Sequence, residues 1–332
     1  MELQPDNVLA NIHNCTPEAY DFIEKWFDES PYLTAHTSGS TGRPKPISLL
    51  KSDMKASAMS TNRFFRITEK SRLLCPLSAD YIAGKMMIVR AIVAGAQLWM
   101  EAPSNTPVHS DYGQVDLIAV VPSQVPHILS NPCIFNNIKY TLIGGAQLST
   151  DLSRRIVEAK INAYVSYGMT ETCSHVALRK VDDSPEGIYE AMPDIYFTKD
   201  SRGCLIVRSD SRSFKELRTN DIVNLSDERH FSWKGRIDNV INSGGIKVYP
   251  EEIEMQLHPI VPHGIEFYVA GCSDEKWGEV PAIILSTEVD DMDKLLADAR
   301  NRVKSKAQRP VRIIVSDIRH TLSGKIIRER FI

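Results

Sequence analysis

His36-Thr37-Ser38-Gly39-Ser40-Thr41-Gly42-Arg43-Pro44-Lys45 is the stretch on which the reading of this chain turns. Hydroxyls alternate with glycines, and the run closes on two cations around a proline. Glycines let consecutive backbone N–H groups converge on one anion, and hydroxyls add further donors. The residues just before, Tyr32-Leu33-Thr34-Ala35, read as a short strand. A strand feeding a glycine-rich, cation-terminated turn suits a polyphosphate better than it suits a Ser/Gly spacer. The spacing is not that of a Walker loop, and Lys45 is followed by another proline.

Around this loop the apolar pattern alternates between strand and helix. Residues 19–27 have helical periodicity, Ser52-Asp53 stands where it would cap a helix from Met54 to about Arg66, and Gly84 to Ala94 reads as a mostly buried helix. Short apolar runs at 73–77, 97–100, 116–121, 140–143 and 163–166 read as strands, with helices from Pro122 and over 150–160 between them. Continuous apolar strands separated by helices predict an α/β domain with a mainly parallel sheet covered on both faces. Between about 187 and 234, shorter strands with Gly, Asp and Asn turns predict a β-rich subdomain. Gly235 to Glu254 reads as a joint: it is charged, carries Gly244-Gly245, and places Pro250 in the first turn of a helix with an acidic start. The expected division is therefore 1–235 as a large N-terminal domain and 236–332 as a small, mobile α+β C-terminal domain.

Composition narrows the class. Hydrophobic residues at 42% allow a sizeable core, and a net charge of −3 argues against a general affinity for nucleic acid. The six cysteines are scattered with no C-x-x-C pair, which predicts reduced thiols in a cytoplasmic protein. The start M-E-L-Q-P-D-N is not that of a signal peptide, and no apolar run is long enough for a membrane helix.

Tyr164-Val165-Ser166-Tyr167-Gly168-Met169-Thr170-Glu171-Thr172 falls at the end of a predicted parallel strand, where open α/β sheets bind ligands. Gly144-Gly145-Ala146 ends another. Further on stand Thr219-Asn220-Asp221, Gly235-Arg236-Ile237-Asp238 and Leu322-Ser323-Gly324-Lys325. Taken singly these are turns and solvated charges.

Taken together, the motifs resemble those of the adenylate-forming superfamily, which includes acyl- and aryl-CoA ligases, luciferases and peptide-synthetase adenylation domains. T-S-G-S-T-G-x-P-K is similar to its phosphate loop, and Y-G-x-T-E to its second signature. The resemblance implies that Thr37, Ser38, Gly39, Ser40, Thr41, Gly42 and Lys45 bind ATP phosphates. It implies that Gly144, Gly145, Ala146, Tyr167 and Gly168 surround the adenine, and that Asp221 and Arg236 read the ribose. Thr170 would bond the phosphate and Glu171 would hold Mg²⁺, a hard cation suited to carboxylate oxygens. Asp238 looks like the hinge, and Gly244 and Gly245 like the segment swung toward the thioester-forming site. Lys325 is similar to the lysine that catalyses adenylation. Many relatives carry a lysine three residues after the hinge, where this chain has Ile241. That departure weakens luciferase-like readings more than ligase ones.

Within the superfamily, P-L-S-A-D-Y-I-A-G-K at 76–85, G-G-A-Q-L-S at 144–149 and the segment at 241–254 are most similar to the o-succinylbenzoate–CoA ligases of menaquinone biosynthesis. Most relatives have a large N-terminal subdomain ahead of the phosphate loop. Few residues precede it here, which implies a compact ligase with a reduced acyl-pocket wall. The implied enzyme consumes a small carboxylic acid, ATP and CoA, with Mg²⁺, and has neither nucleic-acid nor membrane partners; whether it forms a homodimer stays open. Because the implied acid has two carboxylates, one needs a partner in the pocket. Lys85 is the first candidate, with Ser78, Tyr81 and His175 as neighbours. Other acyl- or aryl-CoA ligases, an enzyme loading a carrier protein and a non-catalytic nucleotide-binding protein are the alternatives. Lys325→Ala is expected to slow adenylate formation by on the order of 10²-fold or more, the scale of one lost electrostatic contact, while largely sparing thioesterification. Rates of the two half-reactions measured separately test this, and equal losses refute the role.

Overall fold

A computed structural model describes residues 8–36, 45–182, 187–262, 264–321 and 326–331. The loop residues 37–44 and the terminal Lys325 lie outside the described residues. The chain opens with strand β1 (Ile12–His13), helix α1 (Pro17–Phe27) and the antiparallel hairpin β2 (Tyr32–His36) and β3 (Pro46–Leu50). Helix α2 (Lys51–Phe65), strand β4 (Arg72–Cys75), helix α3 (Ile82–Ala94), strands β5 (Gln97–Met100) and β6 (Val115–Val120), and the short helices α4 (Val125–Leu129) and α5 (Pro132–Phe135) come next. Strand β7 (Ile138–Ile143), helix α6 (Thr150–Glu158) and strand β8 (Ala163–Gly168) complete the alternating part. The strands β9 (His175–Lys180), β10 (Tyr189–Ala191), β11 (Ile195–Lys199), β12 (Cys204–Ser209), β13 (Glu216–Leu225) and β14 (His230–Arg236) have no helix between them.

All these strands except the β2–β3 hairpin belong to one sheet, ordered β1-β5-β4-β6-β7-β8-β9-β10-β14-β13-β12-β11. From β1 to β8 every pairing is parallel; from β8 onward every pairing is antiparallel. The β-rich part is thus the antiparallel half of a continuous sheet. The chain reverses its direction of travel across the sheet between β4 and β6, which opens a crevice beyond the carboxyl ends of the strands.

Helix α3 explains much of the core. Gly84 and Met86 to Ile92 are all buried, the pattern of a helix covered on every side. It packs between α1, α2 and the sheet. Helix α2 begins at Lys51, earlier than its sequence suggests, and has Leu50 at its N-cap without a side-chain cap. The carboxylate of Asp53 accepts instead from the backbone N–H of Ser213 (2.9 Å) and from its hydroxyl. A long-range partner has displaced the local cap. All six cysteines are free thiols; burial pushes those of Cys75 and Cys173 up to about 12. Among the described residues, no helix is long and apolar enough to cross a membrane.

After Arg236 the chain forms strands β15 (Ile241–Ser243) and β16 (Ile246–Val248), helix α7 (Pro250–Leu257), the long hairpin β17 (Phe267–Asp274) and β18 (Gly278–Leu285), helix α8 (Met292–Arg302) and strand β19 (Arg312–Val315). These strands make a separate sheet with apolar clusters of its own. Ile241, where many relatives carry lysine, is 1% exposed in that core. Burying an apolar side chain there is favourable, whereas an unpaired ammonium would be costly.

The Asp53–Ser213 contact gives a test of the α2 anchor. Asp53→Ala leaves the Ser213 N–H without its acceptor and is expected to cost about 1–3 kcal/mol. Urea unfolding measures this, and an unchanged midpoint refutes the anchoring role.

Candidate active site

The candidate residues gather where β7 and β8 end side by side. Gly144 to Ala146 follow β7, with Gly145 at φ +86°. Beyond β8, Thr170–Thr172 makes a single 3₁₀ turn, closed by Cys173 in the left-handed region at φ +63°. The Thr172 hydroxyl organises the turn: it accepts from the Met169 N–H (3.0 Å) and lies within donating distance of the carbonyls of Met169 (2.9 Å) and Ser174 (2.6 Å). Thr170 is buried and Glu171 is exposed. Gly168 is required by close approach, since a Cβ there would lie 2.4 Å from the Ser174 carbonyl oxygen.

Tyr167 and Asp221 are joined directly. The phenol donates to Asp221 Oδ2 at 2.7 Å, and Trp233 Nε1 donates to Oδ1 at 3.1 Å. Burial, reinforced by the Asp221 carboxylate, holds the Tyr167 hydroxyl well above the ordinary tyrosine range. The Tyr167 ring packs edge-on against Phe231 at 5.1 Å. Register brings in the arginine: Asp221 on β13 pairs with Arg236 on β14, and the guanidinium lies 3.8 Å from Asp221 Oδ1. Each carboxylate oxygen has two acceptor positions, so Asp221 keeps capacity for further donors. Arg236 also binds Asp238 at 2.8 Å, and these partners raise its pKa against the opposing effect of burial. Tyr167, Asp221, Arg236 and Asp238 are therefore linked side chain to side chain from β8, β13 and β14, with Gly144 beside Ser166 at the end of β7 and Gly168 to Glu171 following Tyr167 along the chain.

Of the acyl candidates, Ser78, Tyr81 and Lys85 lie together at the start of α3, where the Tyr81 N–H donates to the Ser78 carbonyl at 3.3 Å and the Lys85 N–H to the Tyr81 carbonyl at 3.1 Å. Lys85 donates to the Ala79 carbonyl and lies 5.2 Å over the Phe22 ring of α1; burial lowers its pKa. The Ser78 hydroxyl bonds Asp80 (3.1 Å), and Tyr81 is 47% exposed. His175 is elsewhere. Its Nε2 lies 3.1 Å from Thr61 Oγ1, its Nδ1 lies 3.3 Å from Ser174 Oγ, and burial followed by Arg90 and Arg212 holds its pKa well below the usual value.

Beside His175 sits a residue absent from the sequence-based candidates. Arg90, on α3, is 2% exposed and donates to Ser174 Oγ at 2.7 Å and to Met87 Sδ at 3.3 Å. Among the described residues its Nε has no partner, and burial lowers its pKa to about 10. Arg212, the other buried guanidinium nearby, is matched by Asp194 at 2.8 Å. A lone arginine inside the apolar run G-K-M-M-I-V-R-A-I-V-A was the available sequence signal.

Lys45 is exposed at the start of β3. Gly244 and Gly245 turn between β15 and β16 with φ of +56° and +83°, and Gly244 N–H donates to the Trp277 carbonyl at 2.8 Å. The exposed Glu171 offers a carboxylate at the turn, the donor type that fits a Mg²⁺ ion completing its shell with phosphate oxygens and water.

Residues 10–195 match the AMP-binding enzyme family, and the chain belongs to that family. A solved structure of an acyl-CoA synthetase (AMP-forming)/AMP-acid ligase II-like protein from Dyadobacter fermentans is 34% identical, covers 93% of this chain and 91% of its own, and superposes with a TM-score of 0.62. The o-succinylbenzoate CoA synthetase of Bacillus subtilis, solved with its acyl-adenylate intermediate, is 25% identical over 89% of this chain and 67% of its own, with a TM-score of 0.79. The 2-succinylbenzoate–CoA ligase of Listeria monocytogenes is 27% identical over 93% of this chain and 71% of its own length.

The buried His175 yields a pH dependence. Its folded pKa is depressed below the ordinary 6.5, so the fold holds it neutral while the unfolded chain protonates. Its contribution is complete above pH 6.5 and is lost as pH falls below that value, at up to about 1.4 kcal/mol per pH unit. Thermal or urea unfolding between pH 7.5 and 5 should show a shallower loss in His175→Gln than in the parent. Parallel pH profiles would exclude this linkage.

Proposed function

We propose that this AMP-forming acid–CoA ligase activates 2-succinylbenzoate, and that Arg90 holds the carboxylate that does not react. One observation carries the choice of acid: a buried guanidinium set behind the 167–174 turn whose Nε is unpartnered and which forms no ion pair among the described residues. Burying a cation costs several kcal/mol unless an anion and hydrogen bonds compensate it. An acid with a second carboxylate supplies that anion through charge-assisted bonds. Ser174 and Thr61 add hydroxyls, and neutral His175 adds a hydrogen-bonding edge without a competing charge. The names of the succinylbenzoate ligases among the relatives support the same acid.

The reaction uses ATP and CoA in two steps. The free carboxylate attacks the α-phosphorus of ATP, pyrophosphate leaves, and an acyl-adenylate results. The CoA sulfur then attacks the acyl carbon and AMP leaves. Thr37 to Gly42 and Lys45 bind the phosphates, Thr170 bonds the phosphate nearest the reaction, and Glu171 holds the Mg²⁺ that offsets phosphate charge. Gly144 to Ala146 and Gly168 lie along the adenine with Tyr167 on its other face, and Asp221 and Arg236 bind the ribose. Lys325 bridges the attacking carboxylate and the α-phosphate and stabilises the charge that builds up in the transition state. Residues 1–235 and 236–332 form two units that rotate about Asp238, withdrawing Lys325 and delivering Gly244 and Gly245 for the thioester step.

Arg90→Met should reduce kcat/KM for 2-succinylbenzoate by about 10²-fold, close to 2.7 kcal/mol. Lys85→Met should leave KM for that acid nearly unchanged, and Arg90→Met should affect monocarboxylic aryl acids far less. Thioester formation assayed across dicarboxylic and monocarboxylic acids measures all three. A parent enzyme that prefers a monocarboxylic acid, or an Arg90→Met enzyme that keeps its KM for the diacid, would overturn the assignment.

A further inference from the structure

The boundary between the two proposed units runs through one residue. The Asp238 carboxylate is held from two strands of the large sheet, accepting from Arg236 at the end of β14 at 2.8 Å and from Asn220 Nδ2 on β13 at 3.3 and 3.4 Å. Its carbonyl is held from the opposite direction, accepting from the Arg330 guanidinium at 3.2 Å. The same Arg330 nitrogen reaches the Val240 carbonyl at 3.0 Å. Its other terminal nitrogen binds Glu279 Oε1 at 2.8 Å, and Glu279 Oε2 accepts from the Asn242 N–H at 3.0 Å.

The Arg330–Glu279 ion pair thus satisfies main-chain groups of residues 238, 240 and 242 in succession, as a neighbouring strand would. The separate C-terminal sheet does not do this itself: in it β15 pairs with β18 at Ser243 opposite Gly278, beyond residues 238–242. Gly271 leaves the room needed, since a Cβ there would come within 3.2 Å of Glu279 Oε1. Asn239, between the clamped carbonyls, is held on its own side by Glu251 Oε1 at 2.6 Å.

We infer that Arg330, paired with Glu279, is a positioning residue that fixes residues 239–242 to the small unit and confines the swivel to the Cα of Asp238. This rests on the rotation proposed above. Arg330, Glu279 and the groups they hold after the Asp238 Cα all move together, so the clamp persists in both orientations. What it fixes is the direction in which the β15–β16 turn with Gly244 and Gly245 leaves the pivot. The tail carrying Arg330 has backbone anchors of its own, from Phe331 N–H to Gly271 (3.1 Å) and from Ser273 N–H to Phe331 (3.0 Å). Loss of the clamp should therefore disturb the thioester step more than the step assigned to Lys325.

The test uses the full chain carrying Arg330→Ala, with Glu279→Gln as the milder second variant. Amide hydrogen exchange followed by mass spectrometry should show exchange over residues 239–243 accelerated about ten-fold or more, while β17 and β18 keep parental protection. Thioesterification should fall at least about ten-fold and adenylation less than about three-fold, with Arg330→Lys recovering part of the loss. Unchanged exchange over 239–243 in both variants, or equal losses in the two half-reactions, overturns the inference. A parent that forms no adenylate with any acid would sink the proposed function, while the exchange measurement still decides whether the clamp exists.

Discussion

The carboxylate of Asp221 is the interaction on which the candidate site depends. It reaches from β13 across the antiparallel half of the sheet to the phenol of Tyr167 at the end of β8. It also takes the Trp233 indole and faces Arg236, so two strands and one strand end converge on two oxygens. Each donor has an acceptor, which is the condition for burying polar groups without a large penalty. Through Arg236 the same cluster continues to Asp238, so the order of the site and the order of the chain at Asp238 are coupled.

Charge is treated differently behind the site. Arg212 and Asp194 neutralise one another, and Ser60 and Ser211 add bonds to the same aspartate. Arg90 has a hydroxyl and a sulfur instead of an anion. With two guanidinium groups around it, His175 stays neutral and offers a hydrogen bond instead of charge. Among the described residues one of these two almost fully buried arginines has a counter-ion and the other has none, and that contrast is what the proposed acid rests on.

The alternation of apolar strands and helices was legible along the chain because each element writes its own periodicity. The parallel half of the sheet followed from it, and so did the position of S-Y-G-M-T-E at a strand end. Helix α2 shows where local reading stops. Ser52-Asp53 has the composition of a cap, yet Asp53 bonds Ser213, a residue far along the chain. The β-rich subdomain expected at 187–234 is continuous with the main sheet because β9 pairs with β8 and β10 with β9, pairings no local run of sequence dictates.

Motif chemistry, charge balance and the family resemblance came from the amino-acid order alone, since a phosphate loop, a Thr-Glu turn and a terminal Ser-Gly-Lys are short runs whose function depends on backbone freedom and residue type. The pairing of Tyr167 with Asp221, the isolation of Arg90 and the grip of Arg330 on the Asp238 carbonyl were decided only in three dimensions. Each joins residues from different elements, and whether a buried charge has a counter-ion depends on what packing brings within a few ångströms of it, a quantity that no local stretch of sequence encodes.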